Sequence, residues 1–175
     1  MNNDVLFSEQ QRFRQWWFWL IITIAVVAAI GSIIASMTQN QQENNSGSLV
    51  GLLIAILFIG IFLIFFFILR LELQIKQDGI YVRFFPLQFS MRFYPWTNIV
   101  RVFVKKYRPI VDFGGWGIRY GLFGKGKVLN VSGNIGLQLI FTDNKKLLIG
   151  TQQAERLDKI SQQMHLPAYQ PPETE

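Results

Sequence analysis

The residues best suited to recognition chemistry lie between Lys105 and Lys127. Lys105, Lys106 and Arg108, with Lys125 and Lys127, make a basic set that attracts anionic groups. Between them runs Gly114-Gly115-Trp116-Gly117-Ile118-Arg119-Tyr120-Gly121. Aromatic and arginine side chains dominate interface hot spots, so a glycine-shaped loop presenting Trp116, Arg119 and Tyr120 is the expected binding surface. The competing reading is structural: the glycines serve tight turns with positive φ, and Trp116 and Tyr120 fill the mouth of a β-structure. The lysines have a structural reading too, because charged residues on a strand edge discourage aggregation.

Catalysis finds little support in the same sequence. There is no cysteine, which excludes a disulfide frame, a thiolate nucleophile and a Cys-ligated metal. The single histidine, His165, sits near a Pro-rich tail, which leaves a zinc cluster or a Ser/His/Asp triad little to work with. Gly121 to Lys127 matches a phosphate loop up to its lysine, but Val128 stands where a Ser or Thr must bind Mg²⁺. No helix is expected to follow it, as phosphate binding would need. Asp112-Phe113-Gly114 spells the kinase metal motif without the catalytic loop or ATP lid that gives it meaning. Asp78 and Asp143 fall in turns and Glu155 near a helix start, and no acid pair is spaced for proton transfer. The expectation is a non-enzymatic chain with no cofactor and no metal.

Two apolar runs, 16–37 and 49–69, precede this region. Neither contains a charged residue, and each matches the ~20 residues a helix needs to cross a bilayer. The first run exceeds the ~7–15 residues of a signal-peptide core, and Ala35-Ser36-Met37 is a poor cleavage site. Arg12, Arg14, Arg70 and Lys76 flank the runs, whereas the segment 38–48 has no Lys or Arg. The positive-inside rule then predicts a two-helix transmembrane hairpin in a bacterial inner membrane, with both termini cytoplasmic and 38–48 outside. Trp16, Trp17 and Trp19 suit the inner interface, and Ser8 with Gln11 forms a capping box that would start the helix early. Ala28, Ser32 and Ser36, with Gly51 and Ala55, are small residues at four-residue spacing. They predict close packing of the hairpin on itself or homo-oligomerisation.

From Leu71 the apolar period becomes two. Strands are expected over 71–76, 80–85, 89–94, 99–106, 117–120, 127–131, 137–142 and 146–150, with turns at Gln77-Asp78-Gly79, Pro95-Trp96-Thr97-Asn98 and Asp143-Asn144. Residues 152–164 read as an amphipathic helix, and 166–175 as a disordered tail. The expected fold is a small β-barrel or sandwich of about seven strands over 71–165, capped by that C-terminal helix. Residues 71–175 hold 14 Lys and Arg against 8 Asp and Glu, so this part carries the whole net charge of +6. Such a domain suits the lipid bilayer surface and anionic lipid, or a protein partner. Aromatics at alternating positions, without a stacking platform, argue against nucleic acid.

Asp78-Gly79-Ile80, Pro95-Trp96-Thr97-Asn98-Ile99 with Val102, and Leu147-Leu148-Ile149-Gly150-Thr151-Gln152 resemble the bacterial pleckstrin-homology-like domains found beside transmembrane helices. Gly114 to Gly121, with Asn130-Val131-Ser132-Gly133, is similar to a branch of small two-helix membrane proteins without assigned biochemistry. The resemblance covers nearly the whole chain. It implies a fold and a membrane-tethered interaction or scaffold module, with lipid or ligand sensing as the alternative. Eukaryotic lipid-binding members place basic residues around the first hairpin loop, which here is short and acidic.

Overall fold

The computed structural model describes residues 5–13, 16–39, 46–121 and 124–163. The chain divides into two compact units, residues 14–68 and the remainder.

In the first unit both apolar runs are helical, as α1 (Trp16–Gln39) and α2 (Ser46–Ile68). The expected transmembrane hairpin does not follow from this. Among the described residues, no helix is long and apolar enough to cross a membrane. The transmembrane fold class and the multi-pass inner-membrane placement with cytoplasmic termini are corrected accordingly. Three of the basic residues that oriented the hairpin are ladder residues instead. Arg12 pairs in register with Arg70, Arg70 bridges to Glu72 at 2.7 Å, and the Lys76 ammonium lies 4.6 Å from the Tyr81 ring centroid. Arg14, segment 40–45 and the tail from 164 lie outside the described residues. Leu53, Ile54, Ile56, Leu57 and Phe58 are all exposed, so apolar surface runs around α2 and its contact with α1 covers little of it.

The larger unit begins with a strand the sequence reading missed. β1 (Val5–Arg12) occupies the place assigned to a helix start, because Phe7, Glu9 and Gln11 alternate inward in period two. It pairs antiparallel with β2 (Arg70–Lys76), and β3 (Gly79–Phe85) and β4 (Arg92–Pro95) complete a four-stranded sheet in the order β1-β2-β3-β4. The helical unit is thus an insertion between two neighbouring strands. A 3₁₀ turn at Trp96–Asn98 leads out of this sheet. Buried Trp96 anchors that turn by donating its indole N–H to the Lys76 carbonyl at 3.1 Å.

The second sheet has the order β5-β8-β9-β7-β6, formed by β5 (Ile99–Lys106), β6 (Gly117–Gly121), β7 (Gly126–Asn130), β8 (Ile135–Phe141) and β9 (Lys146–Gly150). β7 runs parallel to β9, and the other pairs are antiparallel. Among the described residues, nine strands in two sheets thus replace the expected barrel of about seven. The count rises because β1 joins from before the helices, while the third expected strand, 89–94, shrinks to four residues without changing the number. Phe7, Leu71, Leu73, Ile75, Val82, Phe84, Leu137 and Leu139 supply the core, and Leu157 of α4 (Ala154–Gln163) is buried too. β9 is buried on both faces, since Leu148 belongs to a second small cluster with Tyr107, Phe113 and Val128. A five-residue helix, α3 (Pro109–Phe113), supplies Phe113 to that cluster and ends at Gly114, whose φ of 74° only glycine adopts without strain.

Candidate binding cleft

Along β4 (Arg92–Pro95), Arg92 and Phe93 are exposed and Tyr94 and Pro95 half-buried. β4 is an edge strand whose only strand neighbour among the described residues is β3. Its other flank borders a cleft of about 870 Å³, walled opposite by the β6–β7 hairpin and the β8–β9 turn. Two contacts hold the walls in place. The Tyr94 and Phe141 rings lie 5.4 Å apart, and the Thr142 N–H donates to the Asn98 carbonyl at 3.0 Å.

On the hairpin wall, Tyr120 of β6 faces Lys127 of β7 across the ladder. Tyr120 is 73% exposed, and the Lys127 ammonium lies 5.6 Å from its ring centroid. β7 approaches β9 closely because residue 126 is glycine. Its φ is +82°, and a β-carbon there would overlap the Lys146 carbonyl oxygen. That approach brings Lys127 into register with Leu147, beside Lys146. The turn wall is set by Asp143, which accepts the Lys145 N–H at 3.1 Å, and by Asn144 in the left-handed conformation at φ 62°.

Arg92, Lys127, Lys145 and Lys146 line the cleft, and Asp143 is the carboxylate among the lining residues. Asp143 is engaged by the Lys145 ammonium at 2.7 Å, which holds its carboxyl below the usual range and raises Lys145. Next to this set, Lys105 is pushed below the ordinary lysine range. Partial burial is the main cause, opposed by Asp112 and reinforced by Lys146 and Lys125. The cleft lining thus carries four cations against one carboxylate.

Of the eight expected site residues, the structure brings Tyr120 and Lys127 into the cleft. Lys125 instead bridges Asp112 at 2.7 Å, and Asp112 also accepts the Arg108 backbone N–H at 2.7 Å. Both interactions, the lysine first, keep the Asp112 carboxyl below its ordinary range. Arg108 therefore stands at the N-cap position of α3, its backbone N–H held by Asp112, and the kinase-like Asp112-Phe113-Gly114 stretch is a helix end with a core phenylalanine. Lys106 is exposed at the end of β5. Trp116 and Arg119 engage each other and the backbone. The indole N–H donates to the Gly133 carbonyl at 3.3 Å, and the Arg119 guanidinium to the Trp116 carbonyl at 3.3 Å. Asn130 ties this hairpin to the interior, accepting the Gly117 N–H at 2.9 Å and donating to the Tyr107 hydroxyl at 3.0 Å. The phosphate-loop-like stretch is the β6–β7 connection, and strand β7 follows it.

Sequence reasoning missed Arg92, Phe93, Tyr94, Phe141, Lys145 and Lys146. The available signal was weak but real. Arg92-Phe93-Tyr94 breaks the inside–outside alternation with aromatics on both faces, and Lys145-Lys146 directly follows a turn. Among the described residues, no group of three or more His, Asp or Glu is placed to hold a metal ion. Comparison of the chain with protein-family models, curated proteins and solved structures yields no significant match.

Proposed function

We propose that this chain is a protein-interaction module that works by binding rather than catalysis, with the β4/β6–β7/β8–β9 cleft as its binding surface. The observation that supports this is the pairing of exposed aromatic and basic side chains around one concave site: Phe93 and Tyr120 beside Arg92 and Lys127. Large aromatic faces supply contact area at little entropic cost, and adjacent cations give orientation. The cleft is partly open rather than enclosed, which suits a segment of another protein better than a small substrate that must be enclosed for chemistry. The acids nearest the site also serve structure, Asp112 in capping α3 and Asp143 in the turn. The resemblance to bacterial pleckstrin-homology-like domains agrees with a binding role and rests on its motifs alone.

A peptide display selection against the full chain tests the proposal. Clones that bind the wild type should lose binding to Tyr120→Ala and Phe93→Ala, and keep it for Lys106→Ala, which lies outside the cleft. If every selected clone binds the two aromatic variants as well as the wild type, this cleft is not the interaction surface.

A further inference from the structure

The charge and shape of the cleft narrow the partner further. Its cations stand on both walls: Arg92 on the edge strand β4, and Lys127 and Lys146 on the neighbouring strands β7 and β9. Cations contributed by three strands on two facing walls match negative charges carried along a chain. The groove runs beside a strand edge with no strand partner on that flank among the described residues, a place where an extended segment can lie along the backbone. Phe93 and Tyr120 offer aromatic surface between the cations.

We infer that the cleft takes an extended acidic polypeptide segment, laid along β4 with its carboxylates toward Arg92, Lys127 and Lys146 and an aromatic side chain against Phe93 and Tyr120. This rests on the reading of the chain as an interaction module. The partner is thus defined by alternating acidic and aromatic residues, and binding is steered by charge. Affinity therefore falls as salt shortens the range of attraction.

Fluorescence polarisation with the full chain tests this, using a labelled peptide of alternating Glu and Tyr, the matching Gln and Tyr peptide, and inorganic phosphate as competitor. The acidic peptide should bind at least about tenfold tighter than its neutral counterpart and weaken with added salt. Lys127→Glu combined with Lys146→Glu should remove most of that preference. Arg92→Glu, on the opposite wall, should reduce it independently, and carries the test if the double variant does not fold. Equal binding of both peptides would overturn the acidic preference while leaving the interaction module standing. Displacement of the acidic peptide by phosphate, where chloride of equal ionic strength has no effect, would assign the site to a small anion and overturn the inference. If neither peptide binds, and the display selection yields no clone that depends on the cleft, the inference and the module reading fail together.

Discussion

Glu9 offers the sharpest test of how this fold is held together. It is 3% exposed, on a strand that precedes the helical insertion, yet its partners lie at the far end of the chain. Its carboxylate accepts the Thr151 hydroxyl at 2.6 Å and the Gln152 N–H at 2.7 Å. Thr151 in turn accepts the Gln153 N–H at 3.1 Å, so Glu9 and Thr151 together cap the start of α4 from outside its own sequence. Beside them Gln11 donates to the Gly150 carbonyl at 2.6 Å. Hydrogen bonds to a charged acceptor contribute about 1.5–3 kcal/mol each, and a buried donor left unpaired costs about 1–3 kcal/mol. Relief of the buried charge offsets part of that loss. Glu9→Ala should therefore cost about 2–4 kcal/mol, a large share of a typical stability of about 5–15 kcal/mol.

The pH dependence provides a second, independent readout. Burial is the largest influence on Glu9 and raises its pKa above the ordinary 4.5, while the hydrogen bonds from Thr151, Gln152, Gln11 and Gln153 pull it partly back. A carboxyl with a raised folded pKa is protonated in the folded state while the unfolded chain has already ionised. Its contribution is fully present below 4.5 and is lost as pH rises through the folded value. Glu9→Gln keeps the shape without the titration. Urea unfolding of wild type and Glu9→Gln, followed by tryptophan fluorescence across this range, should show a stability difference that declines with rising pH. Acids common to both proteins cancel. A difference that stays flat with pH, or a Glu9→Ala cost below about 0.5 kcal/mol, would refute the account.

Two further outcomes follow from the same architecture. A fragment starting at Leu71 lacks β1 and with it Phe7 and Glu9, so it should show no cooperative thermal transition; because Arg12 pairs in register with Arg70, replacing residues 14–68 by a short Asn-Gly turn should restore one, as circular dichroism would show. Gly126→Ala, strained at φ +82° and blocked by the Lys146 carbonyl, should lower stability by at least about 1–2 kcal/mol and weaken peptide binding, because β7 and β9 could no longer approach to set Lys127 beside Lys146; an unchanged urea midpoint would contradict this.

Local pattern reads well where one strand face is buried and the other wet. Leu71, Leu73 and Ile75 alternate with Glu72, Gln74 and Lys76, and β2 follows their period. The same logic found β5 and the amphipathic α4, whereas β9, buried on both faces, was legible from its apolar run after the Asp143-Asn144 turn. It failed at β1, where Ser8 and Gln11 match a helix cap and the inward set of Phe7, Glu9 and Gln11 contains two polar residues. A buried Glu and Gln are legible only once Thr151, Gln152 and Gly150 are known to stand opposite them, at sequence separations of about 140 residues. The apolar runs show the opposite limit. Composition identified two helices without fixing their surroundings, because hydrophobicity states what a segment avoids rather than what covers it.

The cleft sharpens the same distinction. Tyr120 and Lys127 were found because they lie in one hairpin, where cross-strand pairing makes neighbours in sequence neighbours in space. Lys105, Lys106, Arg108 and Lys125 looked equivalent by spacing. Asp112 engages the Lys125 ammonium, and Arg108 stands at the N-cap of α3, where its backbone N–H donates to Asp112; neither residue lines the cleft. Arg92 and Lys146 arrive from strands of different sheets, and contacts such as those between Tyr94 and Phe141 and between Asn98 and Thr142 bring them to one groove. The cleft is a property of two sheets meeting at an edge. A substitution such as Gly126→Ala, remote from any ligand atom, is therefore expected to disturb binding as surely as loss of a lysine.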